Sequence, residues 1–172
     1  MYHSAVELPF DAARRPAGAT RVLCQRAFLA ASVMWAAALP LAPLAASRPA
    51  RGDVLFAFAY GAYTLGSLIC HQIAIRSFHL GSLPLPVCAR CTGIYLGAAA
   101  MSVAGVWLRP LARGTEDARM RRLRRVLLLA LLPTAATVAY EWTTGVTPPN
   151  MLRFAAGAPI GAAVAWIIRE VN

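Results

Sequence analysis

Apolar stretches long enough to cross a bilayer recur along this chain, and that feature removes most folds from consideration. The segments 27–46, 54–70, 89–108, 126–143 and 151–168 are rich in Ala, Leu, Val, Gly and aromatic residues, and each carries at most one charged side chain. Each is about 17 to 20 residues long, near the roughly 20 that a helix needs to cross a hydrocarbon core of about 30 Å. Lipid offers no partner for backbone N–H and C=O groups, so a spanning segment must bond internally, and continuous apolar runs do so as helices. The expected fold is therefore an all-α polytopic transmembrane helix bundle of about five spans. A hydrophobic content of 59 %, a charged content of 14 % and a mean hydropathy of +0.56 agree with lipid as the main solvent.

At 172 residues the chain has the length of one domain. Residues 1–26, with Pro9, Pro16, Gly18 and four arginines, read as a loosely ordered polar tail. Residues 27–172 form the bundle, with its core at 54–168. The first segment has a second reading: Arg14-Arg15, an apolar run and Leu44-Ala45-Ala46-Ser47 also fit a cleaved signal peptide, which would leave four spans. The run is longer than a usual signal core, and Pro40 and Pro43 suit a kinked span, so a retained helix is expected.

The formal charge of +10 comes from seventeen basic residues, all of them arginine, placed in short stretches between apolar runs. That placement speaks of topology and not of nucleic-acid binding. With the tail outside, ten of the seventeen face inward, most of them in the loop 109–125. This predicts the cysteine motif on the exterior and the arginine-rich loop against cytoplasmic anionic headgroups. Strict alternation of five spans puts Cys24, Cys70, His71, Arg76, His79, Cys88, Arg90, Cys91, Glu141, Asn150 and Arg153 on one face. Within spans three and five, Gly93 with Gly97 and Gly157 with Gly161 suit close helix approach, or reflect composition alone. Pro133 and Pro159 are expected to kink spans four and five.

The chemistry concentrates in Cys70-His71 and the Cys-x-x-Cys of Cys88 and Cys91. Pro84 and Pro86 favour extended backbone before Cys88, so span three starts there, and Cys88 and Cys91 share a helix face at the positive end of the dipole. The loop 72–87 folds Cys70 and His71 back toward them. Three thiolates and an imidazole form a recognised tetrahedral zinc set, with Cys70, His71, Cys88 and Cys91 as ligands. Adjacent ligands diverge by about 100° on a regular helix, so a frayed end is required, or His79 takes the place of His71. The same cysteines suit a redox pair or a disulfide, and individually they suit small hydrophobes. Cys24 is read as the last of these. Glu141 near the end of span four is costly in a membrane and needs a partner. Arg153 or Arg90 is expected to supply it as an ion pair, and Glu141 or Arg90 is expected to support the metal ligands from behind. Arg76-Ser77-Phe78 reads as a lid or a turn.

Cys70-His71-Gln72, Arg76-Ser77-Phe78 and Leu85-Pro86-Val87-Cys88-Ala89-Arg90-Cys91-Thr92-Gly93-Ile94-Tyr95-Leu96-Gly97 together resemble a family of predicted prokaryotic membrane proteins of unknown function, DUF2085. The resemblance covers residues 54 to 168, with Asn150, Arg153, Gly157 and Gly161 as a second signature and Glu141 where an acidic residue is expected. It implies a prokaryotic plasma membrane and a shared site for Cys70, His71, Cys88, Arg90 and Cys91, and it implies no reaction. Three functions follow as expectations. The leading one is a zinc-binding membrane protein; the alternatives are a thiol-disulfide oxidoreductase with a thiol partner, and a transporter or structural subunit of a membrane complex. Nothing resembles a nucleotide loop, a serine triad or a DNA-reading motif.

Overall fold

The computed structural model describes residues 17–48, 54–108 and 115–171. Among these it contains five α-helices: α1 (Ala17–Ala46), α2 (Val54–Ile69), α3 (Ala89–Trp107), α4 (Glu116–Thr144) and α5 (Asn150–Val171). The two strands, β1 (His79–Leu80) and β2 (Leu83–Pro84), form a small hairpin within the α2–α3 connection. The all-α bundle expected from the apolar runs is present. Four of the helices, α1, α3, α4 and α5, are long and apolar enough to cross a membrane, whereas α2 is a shorter apolar helix of 16 residues. Leu128, Leu129, Leu132, Trp107 and Trp142 are exposed, the pattern of a bundle whose outer surface meets hydrocarbon.

Two helices start earlier than the apolar runs suggest, because polar turns extend them. Helix α4 begins at Glu116, ten residues ahead of the expected span. The Thr115 side chain caps it by accepting from the Ala118 N–H at 3.4 Å, and Glu116 and Asp117 complement the positive end of its dipole. Helix α1 begins at Ala17, so residues 17–26 of the expected tail are helical. Residues 1–16 lie outside the described residues. At its other end α4 stops at Gly145, whose left-handed conformation (φ 69°, ψ 0°) lets its N–H reach the Glu141 carbonyl at 3.0 Å.

The centre of the bundle is the contact between α3 and α5, which run parallel. A Cβ on Gly93 would strike the Phe154 carbonyl, one on Gly97 the Ala158 carbonyl, one on Gly157 the Arg90 carbonyl, and one on Gly161 the Ile94 carbonyl. The glycine pairs are thus a packing device: they let two backbones touch directly, where dispersion and weak Cα–H···O contacts replace side-chain burial. Helix α4 returns antiparallel to α5, with Thr134 Oγ1 donating to the Ala156 carbonyl at 2.7 Å and the Arg119 guanidinium donating to the Glu170 carbonyl.

Helix α1 is antiparallel to both α3 and α5. Near its start, Gln25 Nε2 donates to the Arg169 carbonyl at 3.4 Å, while Trp35 meets Tyr95 edge-on at 5.9 Å and Leu39 packs with Leu85 and Val87. This corrects the alternation expected from the sequence. The start of α1, with exposed Cys24, lies at the end of the bundle opposite the cysteine motif. Helix α1 finishes on the motif side, and α2 ends there too, since Cys70 follows it; the length of α2, about 24 Å at 1.5 Å per residue, is short of a 30 Å core.

Candidate functional site

The connection between α2 and α3 builds the site. Gln72 is the one non-glycine residue with positive φ among the described residues, at 49°. Its Nε2 donates to the Tyr63 and Pro86 carbonyls, both at 2.7 Å, joining the end of α2 to the segment entering α3. A Cβ on Gly66 would meet the Pro86 carbonyl, so α2 lies directly on that segment. The Tyr63 hydroxyl donates to the Pro84 carbonyl at 2.5 Å, and the Leu85 N–H donates to the Phe78 carbonyl at 2.7 Å. On the far side Asn150 Nδ2 donates to the Ser77 carbonyl at 3.0 Å, and Phe78 stands edge-on to Phe154 at 6.0 Å. Buried Ser77 and half-buried Phe78 make Arg76-Ser77-Phe78 a packed connector between α2, α3 and α5.

These contacts bring three sulfurs together. The Sγ atoms of Cys70, Cys88 and Cys91 all lie within 4.8 Å of one another. All three cysteines are free thiols, half-buried, and Cys70 and Cys91 pack against the apolar cluster of Leu39, Leu85 and Val87. The Cys88 N–H donates to Cys70 Sγ at 3.2 Å. Cys88 stands at the N-cap of α3. The hydrogen bond from the Cys91 thiol, helped by the Cys91 backbone N–H, the Cys70 thiol and the charge of Arg153, lowers its pKa from the usual 9.0 to about 5 against the opposing effect of burial.

The remaining candidates divide. His71 lines the same cleft, of about 340 Å³, but its ring is exposed and lies outside the three-sulfur group, since consecutive side chains diverge. His79 lines a different cavity, with Ala36, Leu39 and Phe154, and is not available to the sulfurs. Arg90 and Arg153 both line the sulfur cleft. Glu141 pairs with neither of them. Its carboxylate meets the Arg76 guanidinium and accepts from Thr147 Oγ1 at 3.4 Å. The expected Arg153 or Arg90 partner is thereby corrected, because the Asn150–Ser77 bond holds the connector over the end of α4. Arg90 instead donates from Nη2 to Thr137 Oγ1 at 3.2 Å, one turn before Glu141 on α4. Arg153 is 2 % exposed.

Sequence reasoning passed over Gln72 and Thr137. Gln72 was visible only as the residue after Cys70-His71, with no pattern to betray its conformation. Thr137 had a signal in its four-residue spacing from Glu141, which places both on one face of a helix.

A tetrahedral zinc with Zn–S bonds of about 2.3 Å holds its sulfurs about 3.8 Å apart. Sulfurs already within 4.8 Å therefore fit such an ion with a shift of about 1 Å or less. At Cys88 the donor chemistry also fits, since its lowered thiol pKa favours the thiolate a metal requires.

Comparison with known proteins places the chain in a lineage. An uncharacterized protein of Methanocaldococcus jannaschii is 33 % identical over 109 residues, which is 63 % of this chain and 67 % of the relative. An uncharacterized protein of Methanothermobacter thermautotrophicus is 34 % identical over 107 residues, 60 % of this chain and 87 % of the relative. No solved structure matches the chain. Residues 70–167, from the first cysteine of the site into the last turns of α5, match the family described as predicted membrane protein (DUF2085). With several apolar helices and that match over more than half its length, the chain is a multi-pass membrane protein and belongs to the DUF2085 family.

Proposed function

We propose that the protein is a metal-binding membrane protein in which Cys70, Cys88 and Cys91 hold one divalent ion, zinc by preference. The observation that carries the reading is the convergence of three sulfurs from two segments eighteen residues apart, fixed by Gln72 and the Cys88 N–H. Zinc suits three soft thiolates and is redox-inert. His71, outside the three-sulfur group but on the wall of the same cleft, is the candidate for a fourth ligand within the chain. Ligation by His71 closes the site and makes the metal structural; an open fourth position gives a Lewis acid.

The membrane is a prokaryotic plasma membrane, with the motif end outside and the arginine-rich stretch 109–125 inside. Among the described residues, Arg21, Arg26, Arg119, Arg121, Arg122, Arg124, Arg125 and Arg169 gather at one end of the bundle, against Arg48, Arg76, Arg90 and Arg153 at the other. With α1 antiparallel to α3, the start of α1 joins the arginine end, so the charge bias is stronger than a five-span alternation gives.

Metal analysis of the purified protein beside Cys88→Ser tests the reading. About one zinc per chain is expected in the wild type and less than about a tenth of that in the variant. A well-folded wild type that takes up no divalent ion after incubation with zinc sinks it. The low pKa of Cys88 also favours a second reading, a thiol-disulfide exchange centre. Differential alkylation in whole cells separates the two: thiols that become labelled only after chelation support the metal, and thiols that cycle into disulfides support exchange.

A further inference from the structure

The sulfur cleft holds a second feature that metal binding does not use. Arg153 is 98 % buried by its 2 % exposure and lines the cleft, yet its Nε and Nη1 have no hydrogen-bond partner. Arg90, on the same wall, has its Nε equally without a partner. The two act on each other as like charges. Burial of a cation without an acceptor is strongly unfavourable, and burial of two together is more so.

The local charge does not balance. Arg76, Arg90 and Arg153 bring three guanidiniums to this end of the bundle, and the one carboxylate there among the described residues, that of Glu141, is taken by Arg76. Arg90 and Arg153 also sit in the first turns of α3 and α5, where the helix dipoles are positive. The parallel packing of these helices through Gly157 against the Arg90 carbonyl puts both N-terminal ends side by side.

We infer that Arg153 and Arg90 form a binding subsite for a phosphate oxyanion, in the cleft beside the three sulfurs. Two guanidinium forks at the positive ends of two helices match a tetrahedral acceptor with several oxygens better than a carboxylate. The phosphate is either a free ion or the headgroup of an anionic phospholipid. Ile69 and Ile73, both exposed at the cleft, offer an acyl chain apolar contact. The subsite stands whether or not the sulfurs hold a metal.

Purified protein in a nonionic detergent, with zinc content measured on every sample, is titrated separately with inorganic phosphate and with phosphatidylglycerol. Thermal unfolding and native mass spectrometry supply the readouts. Saturable binding of at least one probe is expected, weakened about tenfold or more in Arg153→Gln and less in Arg153→Lys. Arg121→Gln, at the opposite end, is expected to bind as the wild type does. Binding of phosphate alone assigns the free ion, and binding of phosphatidylglycerol alone assigns the headgroup. If Arg153→Gln does not fold, Arg90→Gln takes its place with the same expectation. A wild type that binds neither probe saturably, or an unchanged affinity in the folded variant, overturns the inference. Zinc retained in a sample that binds no phosphate leaves the metal reading standing, and phosphate bound by a zinc-free sample separates them the other way.

Discussion

Arginine at the two ends of this bundle behaves as two different residues. At the motif end Arg153 is buried, Arg76 meets the Glu141 carboxylate, and Arg90 reaches Thr137. At the other end Arg121, Arg124 and Arg125 on the first turns of α4 are exposed, and half-buried Arg119 donates to the Glu170 carbonyl and lies 3.4 Å from a Glu116 side chain that is 75 % exposed. The chemistry of the guanidinium is the same throughout, so the difference comes from what surrounds it. Exposed arginines cost little to hold and act collectively, through the headgroup region. Buried ones must each find an acceptor, and each is therefore specific.

The largest expected effect concerns the close contact that leads from one end to the other. Gly161→Leu places a side chain against the Ile94 backbone and should destabilise by about 3 kcal/mol or more, to the point of losing folded protein. Gly18→Leu, where nothing lies within 4 Å, should change the melting temperature in detergent little. Equal loss in both variants would break the comparison. Next in size, Glu141→Gln should cost about 2–3 kcal/mol, less than a fully buried pair because Arg76 is 36 % exposed. Glu116→Gln at the arginine end should cost under about 0.5 kcal/mol, and thermal unfolding of both variants in one detergent gives the ratio. Gln72→Ala removes two hydrogen bonds to backbone carbonyls and should cost about 1–2 kcal/mol. It should also weaken zinc retention against a chelator, because Cys70 is then less firmly held over Cys88.

The smallest effect is on a rate. In metal-free protein the alkylation of Cys88 should rise as pH passes through about 5 and level off by neutral pH, since the thiolate is then fully formed. An ordinary thiol, at 9.0, would still be gaining reactivity at pH 8. A profile that climbs steadily to pH 9 would show that the Cys91 hydrogen bond does not act as the geometry suggests.

The helices were legible because a span needs length and apolarity, and both are written locally in the residues. Their packing was legible in part. Glycines four apart in spans three and five mark a close approach, but only the partner's position separates a contact from composition bias. The direction of α1 was not legible. Alternation assumes that every apolar run crosses, and α2, at 16 residues, falls just where length ceases to decide. Of the site, the three cysteines followed from spacing and from the prolines that start α3. The partner of Glu141 did not follow, because Arg76, Arg90 and Arg153 all lie at the correct end, and the choice depends on how the connector docks on α5 through Asn150 and Phe154.

Backbone-to-backbone packing of α3 on α5 leaves no side-chain layer between the two helices that could repack. The wall of the cleft that carries Cys88, Cys91, Arg90 and Arg153 is therefore static, since neither helix can slide without collision. Helix α2 makes its close backbone contact, Gly66 on the Pro86 carbonyl, with the segment entering α3 and not with α3 or α5, and Cys70 is held at the site by the Gln72 bonds and one backbone amide. Entry to the cleft and release from it are accordingly a matter of the α2 side lifting from a fixed floor. Amide exchange should then be fastest in residues 68–76 and slowest along the facing turns of α3 and α5.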